Sequence, residues 1–440
     1  MDSETASQLF QDARALIEAR AYQPARHMLL RILGHHPSAT AFHELAGVHL
    51  ALGDGPQALT SIERAISLDP GNLESRVLAL EIFHVLARPR DVIAGADEIL
   101  ARAPGHGEAL LMKARAFEAL LDFERSTEEK KRYLHTVYDT AKGIDDLDRR
   151  DADYHINHVS KRNSVYLDYP AHVQFETFAQ CNATCSFCVY PDLARKGELM
   201  PMSLIDKIIG DLEAIPADIK FQLSPYCVNE PFLDKRIFEV LDKISTRLPN
   251  AVMTLTSNAS PITPEILKRL AQYKIGFLWL SVVDYRKDVY EAKMKLSFDR
   301  LLSRLQMIHA AKAEGRFTHT VVISRLTDNS EHDALFAQFM AERFPLFDLA
   351  LWPYANWIHR TDNEVTSSVA NIPCHHWFEM RIDATGIVQL CCMDGHSEYP
   401  WGDVRTQSIL DIYNQKSFRD LRANTFSRLE TTPCDGCNMR

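Results

Sequence analysis

The sequence has no run of about 18 apolar residues, the length a helix needs to cross the hydrocarbon of a bilayer. A membrane span is therefore not expected. It has no excess of basic charge: 49 Lys and Arg stand against 59 Asp and Glu, a formal net charge of −10. Proteins that track a phosphate backbone carry a basic footprint, so nucleic acid is not an expected partner. There is no basic-then-apolar leader either. Met1-Asp2-Ser3-Glu4-Thr5 is acidic and runs into an amphipathic helix, so no secretory signal is expected. Nor is the number of cysteines even. Nine thiols in 440 residues, most of them clustered, read as reduced, metal-binding cysteines of a cytoplasmic protein rather than as disulfides. A chain of this length that is 46% hydrophobic buries a sizeable core, spread over about two to four domains.

The stretch that organises the rest is Cys181-Asn182-Ala183-Thr184-Cys185-Ser186-Phe187-Cys188. It follows His172-Val173-Gln174-Phe175-Glu176-Thr177-Phe178, whose alternation suits a strand. Thiolates this close converge on one soft metal centre, and iron–sulfur clusters are held by cysteine thiolates. A [4Fe–4S] cube has four irons, so three cysteines leave one without a protein ligand. An open position marks a catalytic rather than a structural metal site. Structural zinc needs four closed ligands, and no fourth Cys or His stands at knuckle spacing nearby. Three unrelated buried thiols are the other alternative, against which their bunching argues. The C-x3-C-x2-C spacing, with Phe187 before the last cysteine, resembles the motif of the radical S-adenosylmethionine (radical SAM) superfamily. The resemblance implies that Cys181, Cys185 and Cys188 hold a [4Fe–4S] cluster and that the amino and carboxylate groups of S-adenosylmethionine chelate the fourth iron. It also implies that Phe187 packs near the cofactor.

From Ala6 to about Leu121 the chain reads as successive helices, with prolines at 37, 70 and 104. A period of about 34 residues belongs to helix–turn–helix solenoids. In the second unit Phe42, Leu45, Ala46 and His49 share one helix face and Ala58, Ile62 and Ala65 another. Gly53-Asp54-Gly55 supplies the turn between them. This resembles the tetratricopeptide repeat, placed at 1–125, with a fourth unit that begins at Gly107 and drifts after Phe117. Such units bury their faces only by stacking. They offer either a groove for a peptide, carrier protein or partner subunit, or a scaffold that never meets substrate. Residues 126–168 are expected to be a charged helical connector, with Glu128-Glu129-Lys130-Lys131-Arg132 on a solvated face.

Over 169–360 strand-like and helix-like segments alternate, as in a parallel α/β sheet or barrel. Strands are expected at 172–178, 219–224, 251–256, 277–282, 318–323 and 347–352. Helices fit at 203–214, 232–247, 263–273, 296–314 and 331–343. Six strands are too few for an eight-fold barrel, and the superfamily resemblance implies a partial (β/α)6 barrel with its chemistry at the C-terminal strand ends. Asn229-Glu230-Pro231 is similar to the family's Gly-Glu-Pro, with Asn229 in the glycine's place. That implies that the backbone there and the Glu230 carboxylate receive the cofactor's ammonium group. From the residues alone, Glu230 also suits a helix N-terminus. Thr256-Ser257-Asn258 resembles Thr-Asn-Gly with a serine inserted, which implies a cofactor contact at Asn258. The family places a polar contact to the ribose or carboxylate at the fourth strand end, here Ser281, and the fifth ends at Ser324-Arg325, where an arginine could pair bidentately with the cofactor carboxylate; an ordinary cap or surface charge is the alternative for both. Cys227 lies outside the metal clusters. It is either a hydrogen-atom donor, which would make an epimerase, or a small buried hydrophobe.

Residues 361–440 hold Cys374, Cys391, Cys392, Cys434 and Cys437. Strand alternation puts Cys391 and Cys392 on opposite faces, so one of them joins a given cluster. With Cys374, Cys434 and Cys437 it makes four thiolates, enough to close a [4Fe–4S] site and also suited to zinc. The hairpin, the Gly402-Asp403-Val404 step and the closing Cys-x2-Cys resemble the Twitch/SPASM auxiliary-cluster domains. Resemblance selects Cys391, and too few cysteines remain for a second auxiliary cluster. The expectation is thus a multidomain enzyme that cleaves S-adenosylmethionine to a 5′-deoxyadenosyl radical. Its target would be a peptide, carrier-bound or sugar-like substrate, with the auxiliary cluster assisting oxidation and a flavodoxin- or ferredoxin-type protein as reductant. A radical epimerase using Cys227 and a non-enzymatic zinc scaffold are the alternatives.

Overall fold

The structure is a computed structural model that describes residues 3–138, 143–358, 360 and 369–439. The chain divides into two compact units, Met1–Ile156 and Asn157–Arg440. Among the described residues no helix is long and apolar enough to cross a membrane.

The first unit is built from α1 (Ser3–Glu18), α2 (Tyr22–Leu33), α3 (Ala39–Ala51), α4 (Gly55–Leu68), α5 (Leu73–Val85), α6 (Pro89–Arg102), α7 (Gly107–Ala119) and α8 (Phe123–Val137), each packed on the next. Small side chains set the close approach: Ala46, Ala58 and Ala65 are fully buried. Gly53 takes φ +76° in the turn between α3 and α4, a region open to glycine at no steric cost. Asp54 then caps α4 by accepting from the Gln57 N–H at 3.2 Å.

The expected end of the repeats at 125 is corrected. Helix α8 packs on α7 and completes a fourth pair, so the 125/126 boundary falls inside a repeat. The charged run is not simply solvated, because Glu129 and Lys130 are buried. Lys113 pairs with Glu129 at 2.6 Å and Asp97 at 2.8 Å, and Lys130 pairs with Glu118 and Asp153 at 2.5 Å each. Opposite charges on neighbouring helices let the lysine stems pack while the ammonium groups stay paired. Helix α9 (Arg149–Arg162) contains the division between the two units.

The second unit is an α/β fold. In chain order it runs β1 (His172–Phe175), α10 (Met202–Leu212), β2 (Phe221–Ser224), α11 (Ile237–Arg247), β3 (Ala251–Ser257), α12 (Pro264–Leu270), β4 (Ile275–Val283), α13 (Lys287–Met294), α14 (Phe298–Ala313), β5 (Thr320–Leu326), α15 (Glu331–Arg343) and β6 (Asp348–Trp352). All six strands fall where the alternation places them, and β1 to β6 pair in parallel. Helix α13 is an addition. It buries only Tyr290 and Met294, too few positions for a visible helical period.

A further hairpin, β7 (Glu379–Ile382) and β8 (Ile387–Gln389), is followed by β9 (Gly402–Asp403), α16 (Ile409–Asn414) and α17 (Lys416–Asn424). The hairpin does not stand apart from the barrel. β7 pairs in parallel with β1, from His172↔Glu379 to Phe175↔Ile382, giving one nine-stranded sheet of order β6-β5-β4-β3-β2-β1-β7-β8-β9. The free edge of β1 offers unpaired N–H and C=O groups, and β7 satisfies them. Alternation then sorts the side chains. Val173, Phe175, Leu223, Leu255, Leu278, Leu280, Met380 and Ile382 are buried in the main core, while His172, Gln174, Ser224, Thr254 and Arg381 line the other face.

Candidate functional site

The three cysteines after β1 are brought together. Each thiol lies within electrostatic reach of another: Cys188 acts on both Cys181 and Cys185, and Cys181 on Cys185. Burial, reinforced by the neighbouring thiols, pushes the Cys181 thiol up to about 12. Without a cation, three partly buried thiolates would repel one another, and a bound metal inverts that balance. The backbone already offers sulfur acceptors their donors, Ala183 N–H to Cys181 Sγ and Tyr190 N–H to Cys188 Sγ, each at 3.4 Å. This donor set fits a cluster held by three thiolates. The loop is pinned by Ser186 N–H to the Lys293 carbonyl at 3.0 Å and by Asn182 Nδ2 to Ser260 Oγ at 2.6 Å. Phe187 packs edge-on to Tyr354 at 6.2 Å, and its carbonyl accepts from Trp357 Nε1 at 2.8 Å.

Glu176, one residue beyond β1, was not anticipated as a site residue. Fully buried, it pairs with Arg195 at 2.6 Å and accepts from the Val228 and Ala384 N–H groups at 3.2 and 3.3 Å. One carboxylate therefore ties the cysteine loop, the segment after β2 and the β7–β8 turn.

At the other strand ends the structure separates the expected residues. Asn258 is within 2.9 Å of Asn182 Oδ1 and 4.0 Å of Cys181 Sγ through its Nδ2, so it braces the cysteine loop. Glu230 is only 2% exposed and accepts from Ser257 Oγ at 2.9 Å, Asn258 N–H at 2.8 Å and Phe232 N–H at 3.3 Å. Burial outweighs these donors and raises its carboxyl to about 7. Glu230 thereby positions the β2 and β3 ends, and these three donors leave one of the carboxylate's roughly four acceptor sites for the ammonium group that the resemblance implies. Asn229 accepts from the Cys227 N–H at 2.8 Å through Oδ1, which leaves Nδ2 buried without a partner. A donor awaiting an acceptor thus stands there, which fits an oxygen of a bound cofactor. Ser281 is half-buried opposite Ser324 in register, and its hydroxyl makes no hydrogen bond among the described residues.

Arg325 is corrected outright. It shares the parity of Val321 and Ile323, is fully buried, and turns away from the site. There it pairs with Asp284 at 2.8 Å, Asp333 at 2.7 Å and Asp328 at 3.1 Å. Although burial alone would raise it, hydrogen bonds from Arg286 and Arg325 hold the Asp284 carboxyl well below the usual range. Its contribution to stability is complete above the ordinary carboxylate value and is lost only as pH falls through the depressed one. Arg325→Ala removes the cation shared by Asp284, Asp328 and Asp333, of which Asp284 keeps Arg286, and is expected to cost about 3 kcal/mol of stability, the low end for a broken buried pair. Denaturant melts read that loss, and unchanged stability would sink the assignment.

A second group forms at the C-terminal end. Cys374, Cys391, Cys434 and Cys437 line one small cavity with Trp377 and Met393. Cys392 does not line it; its Sγ lies 3.3 Å from His376 Nε2. The structure therefore brings Cys391 into the four-thiol ring. The Met393 N–H points to Cys391 Sγ at 3.3 Å. Trp377, whose buried indole N–H has no oxygen or nitrogen partner, favours the Cys434 thiolate. The ring fits a fully ligated cluster.

Between the two cysteine groups lies a polar lattice. Ser224 Oγ bridges His172 Nε2 at 2.8 Å and Thr254 Oγ1 at 2.6 Å. Thr256 Oγ1 donates to Tyr226 OH at 2.8 Å, and Arg381 Nη1 to Gln174 Oε1 at 3.0 Å. His376 Nδ1 meets Glu379 Oε2 at 2.8 Å; burial opposes its charge, but Glu379 pushes His376 up to about 10. The signal for this lattice was available: His172, Gln174 and Glu176, like Glu379, Arg381 and Asp383, place polar groups at every second position of otherwise apolar strands. Cys227 is half-buried there, its Sγ 3.4 Å from the Ile382 carbonyl, and burial raises it to about 12.

The family model of the Radical SAM superfamily matches residues 175–337, and SPASM, an iron–sulfur cluster-binding domain, matches residues 374–438. No curated protein matches the chain. Among solved structures, BtrN in complex with AdoMet and 2-DOIA is 18% identical, covering 61% of this chain and 92% of its own, with a TM-score of 0.42. Streptococcus suis SuiB bound to precursor peptide SuiA is 14% identical, covering 75% and 85%, with a TM-score of 0.48. The structure anSMEcpe with AdoMet and Cp18Cys peptide is 11% identical, covering 60% and 88%, with a TM-score of 0.47.

Proposed function

This chain is a radical SAM enzyme with a SPASM-type iron–sulfur domain, and on that premise we propose that it oxidises an unactivated carbon of a peptide, carrier-bound or sugar-like substrate. Its cofactors are S-adenosylmethionine, the radical SAM [4Fe–4S] cluster and auxiliary iron–sulfur. Cys181, Cys185 and Cys188 would hold the first cluster, which with S-adenosylmethionine supplies a 5′-deoxyadenosyl radical for hydrogen abstraction. Cys374, Cys391, Cys434 and Cys437 would hold one auxiliary cluster.

The observation that carries the oxidising reading is the ring of four. Four thiols around one cavity leave no position for substrate, and a closed site suits electron acceptance rather than ligand binding. The chain's own residues do the rest. Glu176, Glu230 and Asn258 fix the loops, while the lattice from His172 to Thr254 lines the space between the cysteine groups. The helical repeats support a peptide or carrier-bound substrate, because a stacked array of this kind presents an extended surface. The first electron would come from a flavodoxin- or ferredoxin-type protein. The test is deuterium transfer into 5′-deoxyadenosine from labelled candidate substrates. Transfer with a two-electron-oxidised product is expected; an inverted centre with no net oxidation would overturn the oxidising reading.

A second reading rests on Cys227. Its thiol stays protonated well above neutrality because it is buried, and a hydrogen-atom donor must carry its hydrogen. If the enzyme is an epimerase, Cys227→Ala is expected to permit deuterium transfer into 5′-deoxyadenosine while inverted product falls below detection. Unchanged turnover in Cys227→Ala would remove this reading.

A further inference from the structure

Each buried arginine of the second unit but one has at least two of its three guanidinium nitrogens hydrogen-bonded, although Arg195 Nη2 and Arg422 Nε are buried without a partner. Arg195 pairs with Glu176 and donates to the Gly395 carbonyl. Arg325 is held by three aspartates. Arg428 donates to the carbonyls of Ile372, Pro373 and Met439, and Arg422 to those of Phe418, Leu167 and Tyr413. Arg381 differs. It is 7% exposed, yet only Nη1 has a partner, the Gln174 amide oxygen at 3.0 Å. Nε is buried with no acceptor, Nη2 makes no hydrogen bond, and no carboxylate of the described residues pairs with it.

A guanidinium carries five N–H donors and keeps its charge at any physiological pH. Burying that charge without an anion is costly. The edge without hydrogen-bond partners is the one formed by Nε and Nη2, whose parallel N–H groups match two oxygens of a carboxylate or phosphate. Position adds a second argument. Arg381 lies within electrostatic reach of Cys188 in the first cysteine group and of Cys391 in the second. A substrate that loses a hydrogen atom beside one group and an electron towards the other has to lie between them.

We propose that Arg381 anchors an oxyanion on the substrate, a carboxylate or phosphate gripped side-on by Nε and Nη2, with Gln174 holding the guanidinium in place through Nη1. The substrate class is thereby an anionic one. This rests on the reading that the two cysteine groups hold the radical SAM and auxiliary clusters. In that reading the cofactor's own carboxylate is spent on iron, so the free edge of Arg381 is left for substrate.

The test uses full-length, anaerobically reconstituted enzyme saturated with S-adenosylmethionine, melted in acetate, inorganic phosphate or chloride at equal ionic strength. A saturable rise in Tm with acetate or phosphate, absent with chloride, is expected for the wild type. The half-saturating concentration should rise about tenfold or more in Arg381→Gln. It should rise less in Arg381→Lys, which keeps the charge but loses the fork. Stronger protection by acetate assigns a carboxylate-bearing substrate, and stronger protection by phosphate a phosphorylated one. Equal protection of wild type and Arg381→Gln overturns the proposal. So does a tenfold loss of S-adenosylmethionine affinity in Arg381→Gln without an anion effect, which gives the guanidinium to the cofactor. A shifted auxiliary-cluster potential with unchanged anion protection overturns it as well, by assigning Arg381 to charge balance. Wild-type enzyme that forms no deoxyadenosine under dithionite overturns this inference together with the reading beneath it. Deoxyadenosine formed without anion protection overturns the inference alone.

Discussion

Cys185→Ala is expected to lower 5′-deoxyadenosine formation by about 10³-fold or more, to the level of the uncatalysed reaction. Cys185 is the middle thiol of the triplet and lies in electrostatic reach of both Cys181 and Cys188. Removing it leaves two sulfurs, too few to hold a cube with one free corner. Iron should fall from about eight to about four per chain, because the C-terminal ring is untouched. The fold should survive. Cys185 is only partly buried and contacts Met294 Sδ at 3.5 Å, so the lost packing is small beside the buried core. Deoxyadenosine is read by chromatography after dithionite reduction with S-adenosylmethionine. Production equal to the wild type would remove the triplet from the chemistry, and so would a full complement of iron.

The second large effect separates adjacent cysteines. Cys391→Ala is expected to remove the auxiliary cluster, halving iron to about four per chain, whereas Cys392→Ala keeps about eight. The distinction rests on direction. Cys391 lines the cavity with Cys374, Cys434 and Cys437, while Cys392 turns to His376. Cys391→Ala should still consume S-adenosylmethionine but lose oxidised product, since the electron has no acceptor. Iron and sulfide analysis of both variants, with EPR of the reduced proteins, decides it. If Cys392→Ala loses the cluster and Cys391→Ala does not, the ring drawn here has the wrong fourth member. Zinc without sulfide in the wild-type protein would refute the cluster itself.

Arg325 shows how a residue can be misplaced although its sequence carries the answer. A strand-end arginine matches a carboxylate by chemistry, and that match says nothing about direction. Period-two alternation does: Arg325 shares its side with Val321 and Ile323, all three sealed in the core. The aspartates that hold it lie outside the strand that carries it, at 284, 328 and 333. Glu230 is a different case. Its position after β2 was legible, but the three donors that occupy its oxygens come partly from β3, and only the folded sheet brings them there. The end of the repeats was misjudged because α8 reads as a charged run, and the burial of Glu129 and Lys130 depends on partners in other helices.

What the sequence determined by itself was local. The spacing of Cys181, Cys185 and Cys188 puts three thiols on one loop, and the alternation of β1 to β6 and the period of the N-terminal helices set their elements. Short-range geometry fixes these because a strand has a side-chain period of two and a helix turn 3.6 residues. Only the tertiary structure decided that β7 seals the edge of β1, that Cys391 rather than Cys392 faces the other three thiols, and that the Arg381 Nε is buried without an acceptor. Those outcomes depend on the register of strands some two hundred residues apart. Parallel pairing is set by burial summed over the whole sheet, not by any neighbour in the chain.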